Sequence, residues 1–473
     1  MNRPAHALAG RFVDGPIAPT LLRFALPLLT TNFLNAIAGT WGAIWVSRIL
    51  GPYALTAVTT ANVIMFMLMG AVMGIGTAAG VAIGQSLGAG DLGAVKRVAG
   101  CALALVMGFS LIVAASGWML APAIVAATGT PAQSVDLAVQ HLQFTSVSMP
   151  SIFTYLVMVM MMRGSGDSRT PFRFTLVWIG LSMLLAPMLL TGFGGLPRLG
   201  IAALGVSSLL ANLIALGALV THVYVFRLPI ALHGDDIRHL RPEPALLLLL
   251  VRRGVPMALE SILTQGSYFV LLGQVNTYGA ETSAAYGGAA QLWTYVQMPS
   301  NALAASMSAM VAMNIGADRW DRVDQIALRG CLISLAISCA ATVLIYSLGD
   351  LPLRLFIPAG GPALETALRI NVIALWGWIA LAVTMGLFAV VRANGAMLAP
   401  TLIFAVTMWI LRVPFALLLK PWLGDASIWW SYPFGAISSA LIAYGYYRMG
   451  RWRERPLMLM DLTGVAEDAP LGE

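Results

Sequence analysis

The run VAGCALALVMGFSLIVAASGWMLAPAIVAATGTPAQSV, residues 98–135, contains no Asp, Glu, Lys or Arg. A helix needs about 20 predominantly apolar residues to cross a membrane, whereas a strand of a transmembrane barrel needs about 10. The rest of the chain has the same character, since 59% of its 473 residues are hydrophobic and 10% are charged. Soluble domains have roughly 25% charged residues. The sequence therefore predicts an all-α integral membrane protein.

Twelve apolar runs are separated by charged or Gly- and Pro-rich segments. The predicted spans are residues 21–46, 53–83, 98–121, 136–162, 172–192, 200–226, 246–274, 282–313, 327–348, 366–391, 399–419 and 428–447. They divide the chain into five parts: an N-terminal tail (1–20), a first six-helix bundle (21–226), a linker (227–245), a second six-helix bundle (246–447) and a C-terminal tail (448–473).

The basic residues are distributed unequally across these spans. Of the 27 Lys and Arg, 21 lie on the side of the two termini. The five on the other side are Arg48, Arg198, Arg354, Arg369 and Lys420. Because cytoplasmic loops are enriched in Lys and Arg, we predict that both termini lie in the cytoplasm and that the protein resides in a bacterial-type inner membrane. The bases are spread among the loops, so the net charge of +7 does not indicate nucleic acid as a partner.

The two halves of the chain repeat one another at one spacing. RGSGDSRTP at residues 163–171 corresponds to RANGAMLAP at residues 392–400, and Pro27 corresponds to Pro256, each 229 residues apart. Each half holds six predicted spans, so the two repeats have the same orientation in the membrane. We therefore predict two six-helix bundles related by a pseudo-twofold axis along the membrane normal. Such an architecture suits a transporter that works by alternating access.

Glu260 is the only one of the 20 Asp and Glu that lies well inside a predicted span. It follows Arg253 by seven residues, about 10 Å along a helix. Ionisable residues within spans commonly mark ion or substrate pathways. We predict that Glu260 is the cation-coupling residue, which a proton or sodium ion loads and unloads. A structural carboxyl group paired with an arginine is the alternative.

Arg412 is the one base assigned to neither side of the membrane, because it lies within a predicted span, and Pro414 follows it closely. It could pair with a buried acid, line a substrate cavity or extend to an interface. Six polar side chains are further candidates for the cavity: Asn35, Asn62, Gln265, Tyr268, Gln291 and Tyr295. Hydrogen bonding between neighbouring helices is the alternative role for each of them.

The sequence contains no pattern that indicates catalysis. Its three cysteines lie inside apolar runs without metal-ligand spacing, and it lacks a phosphate-binding loop, a metalloprotease motif and a nucleophile elbow. We therefore predict that the protein is not an enzyme, and that it holds no metal and no cofactor besides the coupling proton or sodium ion.

Four segments together resemble the multidrug and toxic compound extrusion (MATE) family. They are ALPLLTTNFLNAIAGTWGAIWVSRILGPYALTAV (25–58), GQSLGAGD (84–91), RGSGDSRTP (163–171) and RRGVPMALESI (252–262). The resemblance extends over about residues 20–450. It implies antiport, in which small molecules, typically amphipathic organic cations, leave the cell while protons or sodium ions enter.

The sequence departs from this family at two acidic positions. An Asp common in the first span is replaced by Gly42, and an Asp usual near the end of the fifth span is replaced by Ala186. A Glu in the seventh span, common among bacterial members, is matched by Glu260. The resemblance therefore implies that coupling rests on the second bundle.

Two other functions are compatible with this architecture. One is a flippase for lipid-linked oligosaccharides or another polar substrate, for which Arg412 is the one base assigned to neither side of the membrane. The other is a non-transporting membrane sensor or a channel. In each case we expect a monomer whose partners are the lipid bilayer and, for a transporter, a small-molecule substrate.

Overall fold

The computed structural model describes residues 10–128, 131–195, 197–241, 243–357 and 360–454. Parts of the predicted tails, residues 1–9 and 455–473, lie outside the described residues. Within the described part, twelve long helices follow one another: α1 (Ile17–Leu50), α2 (Pro52–Gly88), α3 (Leu92–Ala127), α4 (Val135–Gly164), α5 (Arg169–Thr191), α6 (Ala202–Val225), α7 (Pro244–Asn276), α8 (Ala280–Gly316), α9 (Trp320–Leu348), α10 (Pro362–Ala374 and Gly377–Ala393), α11 (Leu398–Leu418) and α12 (Ala426–Met449).

Two of these helices are irregular. The two pieces of α10 are bent by 48° at the break between Ala374 and Gly377. Within α11, residues Val406–Arg412 form a π-helical segment. Wide turns of this kind inside α-helices are frequent at functional sites.

Most of the helices are apolar enough to span a membrane by composition alone. Eight helices of the described residues meet this criterion, and the bent α10 is a ninth if its two pieces form one span. The other three, α7, α8 and α12, have 33, 37 and 24 residues and are therefore long enough to cross. They contain more polar side chains, which a helix tolerates where it faces other helices rather than lipid.

The described chain divides into two compact units. Unit 1 comprises residues 30–258, and unit 2 comprises residues 10–29 and 259–454. Helix α1 thus begins in unit 2 and ends in unit 1, whereas α7 begins in unit 1 and ends in unit 2. Each change of unit falls just after a proline of the repeat, Pro27 or Pro256. The predicted boundaries, 21–226 and 246–447, stay a prediction.

Unit 1 is built around α4, which packs against α2, α3 and α6. The closest approach in this unit is made by glycines: α2 and α4 meet at Gly80 and Gly164, and α2 meets the start of α7 at Gly74 and Gly254. Unit 2 is built around the second piece of α10, which packs against α8, α9 and α12.

The segment between α6 and α7 is tied to unit 1 by an ion pair. Its 3₁₀-helical stretch, Gly234–Leu240, packs against α3. The Lys96 Nζ atom donates a hydrogen bond to Asp236 Oδ2 at 2.6 Å. The backbone of His239 lies directly over Gly100, where a Cβ atom would come within 2.6 Å of the His239 carbonyl oxygen. Only a glycine at residue 100 allows this approach.

The Lys96–Asp236 pair is expected to make a small, pH-dependent contribution to stability. The hydrogen bond from Lys96 lowers the pKa of the Asp236 carboxyl group below its ordinary value of 3.8. The stabilisation from the ion pair is therefore fully present above about pH 3.8, and it is lost as the pH falls through the lowered pKa of Asp236. We expect Asp236→Asn to lower the free energy of unfolding by about 0.5–1 kcal/mol at neutral pH, because both side chains are partly exposed.

Thermal unfolding of the purified protein in detergent over a range of pH values checks this prediction. The matched control is Asp235→Asn, which changes the neighbouring exposed carboxylate and should leave stability nearly unaltered. A difference between wild type and Asp236→Asn that grows on acidification would contradict the prediction.

Unit 2 also includes the segment that precedes α1 and the beginning of α1 itself. Asn314 Nδ2 donates a hydrogen bond to the Phe12 carbonyl oxygen at 3.0 Å, and Arg322 Nη2 donates one to the Gly15 carbonyl oxygen at 2.7 Å. Further along, Ser306 Oγ donates to the Leu21 carbonyl oxygen at 3.0 Å. These bonds tie the segment before α1 and the beginning of α1 to α8 and to the start of α9.

Candidate functional site

Glu260 of α7 forms an ion pair with Arg392 of α10. The Arg392 Nη2 atom donates hydrogen bonds to both carboxylate oxygens of Glu260, at 2.7 Å to Oε1 and 2.6 Å to Oε2. Both side chains are only 14% exposed. Charged groups so far removed from water need a partner, because desolvation of an unpaired charge is costly. Each residue supplies the counter-charge of the other.

The end of α10 favours a cation at this place. Arg392 lies in the last helical turn, where the partial negative charge of the helix C-terminus attracts a guanidinium group. The Phe388 ring, one turn earlier, lies 5.5 Å from the guanidinium carbon. The pair with Glu260 is made by a single nitrogen, and the Arg392 Nε atom has no hydrogen-bond partner among the described residues. It is therefore not the two-nitrogen fork that holds a carboxylate most firmly.

The corresponding place in unit 1 has no such pair. Counting back 229 residues from Arg392 and Glu260 leads to Arg163 and Thr31. The base is thus repeated in the first half of the chain, but a neutral residue occupies the position of the acid. The Glu260–Arg392 pair belongs to unit 2 alone.

Arg412 is buried in unit 2, with 8% of its surface exposed. Its guanidinium carbon lies 3.8 Å from the centre of the Tyr432 ring, which is a close cation–π contact. Arg412 Nη1 donates a hydrogen bond to the Met408 sulfur at 3.4 Å. The Arg412 Nε and Nη2 atoms have no partner among the described residues.

A cluster of aromatic side chains adjoins this arginine through Tyr432, and its residues come from α7, α8 and α12. The hydroxyl groups of Tyr286 and Tyr432 form a short hydrogen bond with each other. Tyr268 and Trp429 stack on Tyr286, each with ring centres 5.8 Å apart. The Trp293 ring centre lies 4.9 Å from that of Tyr432. We call these five residues the aromatic cluster.

The other predicted cavity residues are dispersed. Asn35 on α1 and Asn62 on α2 are exposed side chains of unit 1. Gln265 on α7 and Gln291 on α8 are exposed in unit 2. Tyr295 on α8 is half-buried and stacks on Phe356, with ring centres 6.2 Å apart. The structure brings two of the predicted residues together, since Tyr268 and Arg412 both contact members of the aromatic cluster.

Arg392 and most of the aromatic cluster are not among the site residues that the sequence predicts. Arg392 is visible in the sequence as the base of the repeated motif, so the repeat could have indicated it. The aromatic residues have no local signal, because Tyr286 and Tyr432 are 146 residues apart. At the two positions where the sequence departs from the family, Gly42 is half-buried and Ala186 is buried.

Within the part of the chain that the structure describes, no group of three His, Cys, Asp or Glu residues is arranged to hold a metal ion.

A family model described as MatE matches the chain twice, over residues 27–188 and 256–418. The chain belongs to the MATE family. The two matches begin at Pro27 and Pro256, the prolines of the internal repeat. The resemblance inferred from the sequence is thereby confirmed, and the repeat of the sequence coincides with the repeat of the family model.

Relatives and solved structures agree with this assignment. The chain is 30% identical to the probable multidrug resistance protein YoeA of Bacillus subtilis (strain 168), over 92% of this chain and 94% of that protein. It is 27% identical to the probable multidrug resistance protein YpnP of the same strain, over 94% of this chain and 98% of that protein. A crystal structure of MATE in complex with MaD3S matches with a TM-score of 0.85 at 18% identity, over 93% and 97% of the two chains.

These matches confirm the predicted fold class, an all-α membrane protein of twelve spans in two six-helix bundles. Members of the MATE family are transporters rather than enzymes. This family member is accordingly a multi-pass membrane protein that transports small molecules.

Proposed function

We propose that this MATE family member is a secondary active efflux transporter, which antiports amphipathic organic cations or other small molecules against protons or sodium ions by alternating access. The single observation that best supports coupling is the Glu260–Arg392 pair, an acid inside a span that is shielded from solvent and bonded to one nitrogen of a base. Family membership supports the transport of small molecules.

Glu260 is proposed to couple the cation gradient to the structure through Arg392. A proton or a sodium ion that neutralises the carboxylate competes with the guanidinium group for the same two oxygens. Its arrival weakens the hydrogen bonds from Arg392 Nη2 and frees α7 from the end of α10. Because only one nitrogen has to be displaced, a single cation is sufficient for this exchange.

A single acid, Glu260, is proposed to be sufficient for coupling the cation gradient to transport. Unit 1 has Thr31 at the position equivalent to Glu260, and it has Gly42 and Ala186 at the positions where the family often has Asp. Each elementary charge that crosses a potential of 100 mV supplies about 2.3 kcal/mol, so one cation per cycle drives a substantial substrate gradient.

The membrane setting completes the proposal. We place the protein in the bacterial plasma membrane with both termini in the cytoplasm, as the distribution of Lys and Arg predicts. It works as a monomer in the lipid bilayer, and its only cofactor is the coupling ion.

Transport by purified protein in liposomes tests the proposal. Efflux of the cationic dye ethidium is measured under an imposed pH gradient and, separately, under an imposed sodium gradient. We compare wild type with Glu260→Gln and with the double variant Glu260→Gln/Arg392→Gln, which leaves no unpaired charge. The matched control is Asp350→Asn, which removes a carboxylate that pairs with Arg354 on a more exposed part of unit 2.

Wild type and Asp350→Asn should respond to one of the two gradients. The gradient-driven efflux rate of both Glu260 variants should be at least tenfold lower than that of wild type, because neither variant has a carboxylate that a cation can neutralise. A folded Glu260→Gln protein that responds to the gradient as wild type does would assign Glu260 a structural role and place coupling elsewhere.

The flippase alternative is favoured by one observation, the buried and incompletely paired Arg412. A lipid-linked diphosphate would be expected to contact several bases. Rescue of a bacterial strain that lacks its own flippase would support this alternative, and absence of rescue beside active dye efflux would exclude it.

A further inference from the structure

Arg412 lies inside α11, at the end of the π-helical segment Val406–Arg412 and six residues before Leu418, the last residue of the helix. It is 14 residues from the start of the helix, about 21 Å along the axis. Tyr432 covers one face of its guanidinium group, and a Cβ atom at Gly435 would come within 3.2 Å of the Arg412 Cδ atom. The side chain is thus held in place by packing on α12.

The guanidinium group has one edge without an acceptor. Nη1 donates a hydrogen bond to the Met408 sulfur, which is a weak acceptor, whereas Nε and Nη2 have no partner among the described residues. The Nε–H and the adjacent Nη2–H bonds of an arginine are parallel and point the same way. This edge matches the two oxygens of a carboxylate or a phosphate group.

No acid of the described residues compensates the charge of Arg412. The described ion pairs of unit 2 use other bases, among them Arg392 with Glu260 and Arg369 with Asp425. The two side chains that contact the Arg412 guanidinium group, Tyr432 and Met408, are neutral. A buried cation in such surroundings is costly unless an anion joins it.

The fold itself does not require a base at this place. The residue of the first half 229 positions before Arg412 is Met183, and the residue of α6 that lies as far from the helix start as Tyr432 does in α12 is Ser208. The same helical architecture is therefore built in unit 1 without a charge or an aromatic ring. A function specific to unit 2 explains the arginine better than packing does.

We infer that Arg412 binds an oxyanion group, a carboxylate or a phosphate, within unit 2. The inference deepens the proposed transport function and rests on it for the source of the ligand. The oxyanion belongs either to an anionic or zwitterionic transported molecule or to a small free anion. The surrounding rings offer an apolar setting that favours an acid attached to an aromatic body.

Binding of radiolabelled benzoate, and separately of radiolabelled inorganic phosphate, to the purified protein in detergent tests the inference without any gradient. Unlabelled acetate and inorganic phosphate serve as competitors. The variants are Arg412→Gln, which removes the charge, and Arg412→Lys, which keeps the charge but loses the two parallel donors. The control is Arg354→Gln, an exposed arginine of the same unit.

Wild type and Arg354→Gln should bind benzoate saturably and with equal affinity, and both Arg412 variants should bind it at least tenfold more weakly. Failure of unlabelled acetate and phosphate to displace benzoate supports an aromatic acid as the ligand, and displacement by either of them at concentrations similar to those of unlabelled benzoate supports a free anion. Absence of saturable binding of benzoate and phosphate by wild type would overturn the inference, as would equal affinity in a folded Arg412→Lys protein.

The ethidium assay separates this inference from the proposed function. If wild type binds benzoate but exports no dye, the anion site is supported and the proposed dye efflux is refuted. If wild type exports dye under a gradient but binds neither benzoate nor phosphate, the proposed function is supported and the anion site is refuted.

Discussion

Glu260→Gln is expected to lower the free energy of unfolding by about 3–5 kcal/mol. The substitution removes the carboxylate and leaves the Arg392 guanidinium group buried without its counter-charge, which is the costly way to break a buried ion pair. Both side chains are only 14% exposed, so water cannot take the place of the lost partner. Denaturant unfolding of the purified protein in detergent, followed by tryptophan fluorescence, measures the change.

The double variant Glu260→Gln/Arg392→Gln distinguishes loss of charge balance from loss of shape. It should be more stable than Glu260→Gln alone, because neither charge remains to be desolvated without a partner. The exposed pair Asp350–Arg354 is the matched control, and Asp350→Asn should cost less than about 1 kcal/mol. Equal losses in the single and double variants would show that the ion pair contributes nothing beyond packing.

The position of the acid, but not of its partner, could be predicted from the sequence. Glu260 stands out because it is the one acid well inside an apolar run. Arg392 lies at the end of a run and 132 residues away, so it was grouped with the bases of the cytoplasmic side. An arginine partner for Glu260 follows from the sequence only as a general alternative. Chain position does not reveal which helix ends meet.

The helices themselves follow closely from the apolar runs, whereas their irregularities do not. Hydropathy predicts one continuous span over residues 366–391, but α10 is bent by 48° at Leu375 and Trp376. The π-helical segment of α11 is similarly invisible, because an extra residue per turn changes neither length nor composition. Both irregularities depend on packing against neighbouring helices rather than on local sequence.

The aromatic cluster is the part of the site that sequence analysis could least have found. Tyr268 was predicted as a cavity residue, but its neighbours Tyr286, Trp429 and Tyr432 were not. Aromatic side chains are common in membrane helices, and no short-range pattern joins residues of α7, α8 and α12. The comparison of repeats is more informative, because Met183 and Ser208 occupy the positions of Arg412 and Tyr432 and so identify them as additions to the shared fold.

The contact between α2 and α4 is one of the two places in unit 1 where an added Cβ atom would come closest to the backbone of another helix. A Cβ atom added at Gly164 would lie 2.2 Å from the Gly80 carbonyl oxygen and 2.5 Å from the Gly80 Cα atom. Both are backbone atoms, so relief requires the two helices to separate rather than a side chain to rotate. Gly164 is also the last residue of α4, the helix that packs against α2, α3 and α6.

Gly164→Ala is therefore expected to lower the free energy of unfolding by about 3 kcal/mol, the upper end of the range for overpacked interiors. The control is Gly217→Ala in α6, where an added Cβ atom meets nothing within 4 Å. That change should stabilise the protein by about 0.5–1 kcal/mol, because alanine is the better helix former. The same denaturant unfolding compares the two variants with wild type. Since the two substitutions are chemically identical, changes of opposite sign in the free energy of unfolding would identify the contact between α2 and α4 as the cause. Equal stability of the Gly164→Ala and Gly217→Ala proteins would refute this explanation.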